Sequence, residues 1–381
     1  MTAEELLDER KAFDLVSNTE MFEDDYFCKI MNINNINDEN RIIYREIYAR
    51  SLLILNYLFV SRENVAHYTK KATTQKLMFD KSAKFRLNMA ILSNDTNEGK
   101  SLFDYLGIHS EPLLKKPIWE SMIFIGNSEF EQVELNDKEQ YGAFVGCFTF
   151  NLDCLNQFRL YGKEDNKEGT GVSIVFHKKF FNSEFEIPLN SANEHNPLLY
   201  RCVYLDFETG RVVSVGHNEE YNHTKEKNNN YRAFKHFGQM LMNETKAEIK
   251  AVDEEYIKKI NLIICNVQKN IDYLSEKTKD GMIDKNIVAQ LLINLQYLVK
   301  DVSFKEEQEC RIVKILPLRS KEVEYSEDYN QLYIDFDFCK NHHTISKIIF
   351  GPKATGLNLF QNMLWKKEIK IDCKQSTLPL A

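Results

Sequence analysis

The sequence predicts an α+β protein with a mixed β-sheet, and three features of the residue pattern lead there. Residues 1–60 contain no glycine or proline and repeat apolar side chains near a 3.6-residue spacing. From residue 61 onward, short runs rich in β-branched and aromatic residues are divided by polar stretches. One long block with helical spacing interrupts these runs.

Taken in order, Ile42, Ile43, Ile47 and the stretch Leu52 to Leu58 predict a helical N-terminal segment over residues 1–60. The runs NVAHYT, KFRLNMAIL, AFVGCFTF, GVSIVF and LLYRCVYLDF then predict strands. Those that are apolar on both faces belong in the middle of a sheet. Ile257, Ile260, Ile264, Val267, Ile271 and Leu274 follow a 3,4,3,4,3 spacing, Asp280-Gly281 marks a stop, and Ile287, Leu291, Leu295 and Leu298 resume the pattern. This predicts an αα-hairpin at about 231–300, inserted into a second unit that runs from 61 to 381. Its stripe can buttress the sheet, or its near-3.5 repeat can dock a partner such as an antitoxin. The runs ECRIVKIL, QLYIDFDF, SKIIFG and EIKIDC complete the strands.

Charge and composition narrow the function classes. The 49 basic against 57 acidic side chains give a net charge of −8, which argues against a protein that coats nucleic acid through a basic stripe. The eight cysteines are scattered without metal-ligand spacing and read as reduced thiols of a cytosolic compartment. The opening residues are acidic and polar where a cleaved secretion signal needs basic then apolar ones. The longest apolar stretch, Ser51 to Val60, is too short to cross a bilayer. The expectation is a cytoplasmic protein, bacterial or delivered into a target cell without a cleaved signal, with no membrane partner.

The P-loop, dinucleotide-binding, serine-hydrolase and zincin motifs are all missing. His342-His343, and His217 with His223, lack a carboxylate or thiol at ligand spacing, so no metal is expected. Four segments stand out instead. His67-Tyr68-Thr69 ends an apolar run and suits either a structural histidine or a site residue. Ser93 to Gly99 contains Asn94, Asp95 and Glu98, and reads as a helix cap box or as a carboxylate pair. Between Cys147 and Phe176, a strand feeds a helix ending at Tyr161-Gly162; Gly162, Gly169 and Gly171 take three of only 14 glycines, which implies positive φ or a close backbone approach. Glu306, Glu307 and Glu309 open a buried-looking strand, either as a solvated entrance or as acids held at a cleft.

In this order the segments resemble domain-of-unknown-function family 2971 across about residues 61–380. The matching motifs are His67 to Thr69; Asn94, Asp95 and Glu98; Phe158 to Gly162; Gly171 to Phe176; Glu307-x-Glu309-x-Arg311; Ile348 to Pro352; and the tail Lys370 to Pro379. The N-terminal helices and the αα-hairpin stand outside them. More distantly, the same order is similar to ADP-ribosyltransferases of the histidine-tyrosine-glutamate type, whose split β-sheet holds NAD in a cleft.

That second resemblance implies NAD as substrate, with no metal. His67 would contact the nicotinamide-side ribose with Thr69 beside it, Phe148 or Phe150 and Tyr161 would sandwich the nicotinamide, and Arg159 would clamp the pyrophosphate. Glu309 would be the catalytic carboxylate. Glu307, expected on the same side of an extended strand, would orient the acceptor. A fixed carboxylate in a dry cleft stabilises the positive ribose of the transition state more than the ground state. The resulting expectation is a mono-ADP-ribosyltransferase or NAD glycohydrolase in a toxin, effector or phage-defence setting, with a protein acceptor favoured over nucleic acid. Two alternatives stand beside it: a non-catalytic nucleotide-binding sensor of a defence system, and a metal-dependent hydrolase using Asp95, Glu98 and Glu307.

Overall fold

The computed structural model describes residues 25–34, 36–60, 63–90, 99–108, 123–125, 139–182, 197–217, 254–277, 285–327, 330–337 and 344–379. Asn94, Asp95, Glu98, His223 and His342-His343 lie outside the described residues. Two helices come first, α1 (Asp25–Ile33) and α2 (Asp38–Leu58). The Asn37 side chain starts α2 by accepting the Asn40 amide at 2.9 Å. Then follow β1 (Val65–Thr69), α3 (Lys71–Phe79), β2 (Lys84–Met89), α4 (Ser101–Tyr105), β3 (Ile123–Ile125) and β4 (Glu139–Thr149). The middle of the chain supplies α5 (Leu155–Leu160), β5 (Val172–Phe176), β6 (Leu199–Arg201), β7 (Val203–Asp206) and β8 (Arg211–Val215).

The helical block is α6 (Glu254–Lys277), α7 (Lys285–Leu291) and α8 (Ile293–Gln296). From β9 (Val299–Asp301) a 3-10 helix, Val302–Glu307, leads into β10 (Glu309–Pro317). The last elements are β11 (Glu324–Ser326), β12 (Gln331–Asp337), β13 (Ile345–Phe350), α9 (Leu357–Lys366) and β14 (Asp372–Gln375).

Strand β4 organises the large mixed sheet. Along one edge it carries β10 from Tyr141↔Pro317 to Thr149↔Glu309. Along the other edge, β1 sits opposite Thr149 and β2 opposite Val145 and Phe144. Among the described residues β1 and β2 do not pair with each other, so the sheet forks. One arm continues from β1 to β5, β13 and β14, the other from β2 to β12 and β11. Among the described residues only β13 and β14 run parallel in this sheet. A second sheet has the order β8-β7-β9, with β9 parallel to β7.

Side-chain alternation explains which face each strand buries. In β2, KFRLNM alternates exposed and buried residues, as a strand covered on one face must. Strands β5 and β10 are buried at nearly every position and lie centrally, with a neighbour on both edges. Two predicted strands differ in detail. The run LLYRCVYLDF is cut at Cys202 into β6 and β7, which belong to different sheets. In EIKIDC the strand begins only at Asp372, because Glu368 takes a positive φ of 58° in the turn that ends α9.

Helices α1, α2, α4, α6, α7 and α8 gather on one face, whereas α3 and α9 pack on the other. Ile260, Ile264, Val267, Ile271 and Leu274 of α6 are buried in one cluster with Ile47, Leu52 and Leu55 of α2 and Val313 and Ile315 of β10. The hairpin stripe is therefore a core seam filled by the chain's own N-terminal helix, the buttress of the two readings. The opposite face of the sheet carries a second cluster rich in phenylalanine, including Phe85, Phe148, Phe176 and Phe180. Seven cysteines are described and all carry free thiols. Among the described residues no helix is long and apolar enough to cross a membrane.

Candidate functional site

The site grows from the entrance of β10. The 3-10 helix is capped by Gln308 in the left-handed region, φ 45°. That one residue takes Glu307 off the line of the strand, so Glu307 and Glu309 do not share one side of an extended strand as the spacing suggested. They converge nevertheless, because Lys300 of β9 reaches both: its Nζ lies 2.6 Å from Glu307 Oε2 and 2.7 Å from Glu309 Oε2.

Glu309 is fully committed. Arg311 Nε donates to its Oε1 at 2.8 Å and Arg311 Nη2 to its Oε2 at 3.1 Å. The two residues share a face of β10, as i and i+2 must. Arg311 Nη1 donates to the Tyr297 carbonyl at 2.7 Å. The Glu309 amide donates to the Tyr204 hydroxyl at 2.7 Å, and its carbonyl accepts from the Cys202 amide at 3.0 Å. Gly216 packs so closely on that carbonyl that a Cβ there would overlap it. Glu309 is 6% exposed.

Glu307 is the half of the set that faces outward. Its Oε1 accepts the Tyr161 hydroxyl at 2.9 Å, and Tyr161 is 43% exposed. Its backbone carbonyl is held by Thr149 Oγ1 at 2.6 Å. Two carboxylates and two cations thus form a neutral set, buried at the Glu309–Arg311 end and open at the Glu307–Tyr161 end.

Electrostatics follow from this geometry. Burial alone would raise the Glu309 carboxyl, but Arg311 and Lys300 outweigh it and hold the group down at about 2. Burial pulls Lys300 down while Glu309 and Glu307 push it up further, leaving it well above the usual lysine range. Burial and the adjacent Glu307 charge raise Tyr161, which stays a protonated donor across the ordinary pH range.

Helix α5 sets the position of Tyr161. Phe158 is buried with its ring 4.9 Å from that of Tyr68, and the Tyr68 hydroxyl donates to the Asn151 carbonyl at 2.8 Å and accepts the Cys154 amide at 2.9 Å. After Tyr161 the chain turns at Gly162, φ 68°, directly against the Thr69 carbonyl, where a Cβ would collide with backbone. Gly169, Gly171 and Gly351 close the same turn through Gly351 N to Gly171 O at 2.8 Å and Lys353 N to Gly169 O at 2.9 Å. The glycine cluster is the close backbone approach that its density in the sequence implied.

The structure brings Tyr161, Glu307, Glu309 and Arg311 together, but it does not bring His67 to them. Ala66, Thr149 and Glu309 are cross-strand partners and share a face; His67, Phe148 and Cys310 take the other. There His67 Nδ1 donates to the Cys147 carbonyl at 2.9 Å, and its ring lies 5.1 Å from Phe85 and 5.6 Å from Phe148. Burial lowers its pKa, so it is neutral at pH 7. Phe148 and Phe150 are 2% and 3% exposed, which leaves neither ring a face for a ligand. Thr69 contributes its carbonyl to the Gly162 turn, and Arg159, in the last turn of α5, has its Nε 3.6 Å from Glu168 Oε2.

Lys300, Tyr204 and Tyr68 were missed by sequence reasoning. A signal existed for Lys300, a lone lysine inside the apolar run YLVKDV. Tyr68 supplies the side chain of β1 on the Glu309 face, where His67 had been expected. Among the described residues no three His, Cys, Asp or Glu side chains gather as a metal site requires.

Fold and site together define an α+β protein with a forked mixed sheet whose central strand opens on a carboxylate–cation network. The family model described as a protein of unknown function, DUF2971, matches residues 157–312. That span holds Tyr161, Lys300, Glu307, Glu309 and Arg311, together with the αα-hairpin that the motif comparison had left outside. No curated protein matches the chain, and no solved structure does.

Proposed function

We propose that the protein consumes NAD, cleaving the bond between nicotinamide and ribose and passing ADP-ribose to a macromolecule or to water, with Glu307 as the working carboxylate. One observation carries this reading: Glu307 is the solvent-facing carboxylate of the network, held by the Tyr161 hydroxyl on one oxygen and by Lys300 on the other. In the reaction the C1′–N electron pair leaves with nicotinamide, which departs neutral, and positive charge remains on the ribose. Glu307 stabilises that charge from a preset position. The acceptor then adds to C1′ and loses its proton. Glu309, both of whose oxygens are taken, anchors Lys300 and through it Glu307. Tyr161 offers an exposed ring for stacking, and Arg159 on the same helix is the cation available to the pyrophosphate.

A binding module without turnover is the second reading, and the full commitment of Glu309 to Arg311 and Lys300 favours it. Adenine-labelled NAD, incubated with purified protein and whole-cell lysate, separates the two. Turnover predicts free nicotinamide, with the label in the protein or nucleic-acid fraction for transfer or in free ADP-ribose for hydrolysis, all lost in Glu307→Gln. A saturable rise in melting temperature with NAD and no product supports the binding module. Neither product nor protection removes NAD from the account.

A further inference from the structure

Helix α9 and the turn after it carry charge opposite in sign to the whole chain. Residues 345–379 hold six lysines against two acids, Glu368 and Asp372, in a chain of net charge −8. Lys347 lies 3.7 Å from Asp372, and Lys374 3.1 Å from Asp153. Lys366, Lys367 and Lys370 are exposed and, among the described residues, form no ion pair. Beside them Trp365 is 82% exposed. Asn358, Asn362 and Lys366 follow at i, i+4 and i+8 along the same exposed side of the helix.

The platform is fixed in place. Glu368 N bonds Trp365 O at 3.0 Å and Ile369 N bonds Leu364 O at 2.9 Å, with Glu368 left-handed: a closed helix end whose Ile369 packs in the core cluster that holds Leu364. Gln361 Nε2 ties the helix to β14 through the Cys373 carbonyl at 3.0 Å.

We propose that this helix end docks single-stranded nucleic acid, Trp365 stacking on a base while Lys366, Lys367 and Lys370 meet the flanking phosphates. Stacked rings beside unpaired cations match the repeat of base and phosphate. An acidic peptide would use the lysines and leave the ring idle. A bilayer surface would need a continuous apolar stripe, whereas Phe360 and Leu364 are turned inward and Asn362 and Lys366 separate Trp365 from Leu359. The surface is independent of the NAD reading and stands whether or not that reaction occurs.

The experiment uses the full chain with Trp119→Phe, which leaves Trp365 as the sole tryptophan of the two in the sequence. Twenty-nucleotide oligo-dT and oligo-rU are titrated at low salt, reading tryptophan quenching and oligonucleotide anisotropy. Should Trp119→Phe lower the melting temperature, anisotropy on the native chain gives the result. Saturable quenching is expected, with Trp365→Ala weakening binding about tenfold or more. Replacing Lys366, Lys367 and Lys370 together by Gln should make the slope of log affinity against log salt shallower by about 2. No binding at 50 mM salt, binding indifferent to both variants, or equal variant-sensitive binding to polyglutamate or phosphatidylserine vesicles would overturn the proposal.

Discussion

Lys300 Nζ stands 2.7 Å from Glu309 Oε2 and joins a strand of the small sheet to the entrance of a central strand of the large one. Both charges are buried: Lys300 and Arg311 hold Glu309 ionised, and Glu309 with Glu307 holds Lys300 ionised. The pair is a structural joint, and Glu307, bonded to the same Nζ, inherits its position from it.

The two glutamates should therefore fail differently. Glu309→Gln leaves Arg311 and Lys300 short of a buried counter-charge and should cost about 3–5 kcal/mol of stability. Glu307→Gln leaves Lys300 still paired with Glu309 and should cost clearly less than Glu309→Gln while abolishing nicotinamide release. Urea unfolding of both variants checks the split; equal midpoints would mean that Glu309 is no anchor.

Stability should fall on acidification. Glu309 titrates near 2 in the folded chain against an ordinary glutamate value of 4.5, so its contribution is complete above 4.5 and is lost as pH drops from there toward 2. Lys300 is raised, so its contribution is complete below the ordinary lysine value of about 10.4 and fades only at higher pH. Arg311→Met should remove much of the acid dependence between pH 5 and 2, about as far as thermal melts can follow it. An unchanged profile would place the dependence elsewhere.

Tyr161→Phe keeps the ring and deletes one hydrogen bond to a carboxylate, worth about 1.5–3 kcal/mol when the acceptor is charged. With NAD as substrate, kcat for nicotinamide release should drop about tenfold or more, with KM nearly unchanged. Unchanged kcat and KM would make Tyr161 a stacking residue only.

Gly162→Ala introduces a Cβ at φ 68° against the Thr69 carbonyl. Backbone meets backbone there, and strain of about 1–3 kcal/mol or more is expected. Because the turn carries Tyr161, the variant should also loosen the Tyr161–Glu307 contact. Hydrogen exchange at the Gly351 and Lys353 amides, which close the turn on the Gly171 and Gly169 carbonyls, would report it.

Much of this was legible along the chain. Apolar or alternating runs located β1, β2, β4, β5, β10, β12 and β13, since a central strand such as β5 is apolar on both faces and a strand covered on one face, such as β2, alternates. The 3,4 spacing of Ile260, Ile264, Val267, Ile271 and Leu274 set the buried face of α6. Short strands without such runs, β8, β9 and β11, escaped: β8 and β11 are short arms of hairpins with β7 and β12, and β9 is ordered by pairing with β7 far back along the chain.

The sequence by itself determined that Glu307, Glu309 and Arg311 stand together at a strand entrance and that glycines crowd beside Tyr161, because both are local facts of spacing. Only the tertiary structure decided which acid is anchored and which is free to act. Gln308 turns left-handed, Lys300 arrives from another sheet, and the register Ala66–Thr149–Glu309 sends His67 to the far face. A one-residue step along a strand reverses the face of a side chain, and the identity of residue 67 carries no record of which step was taken.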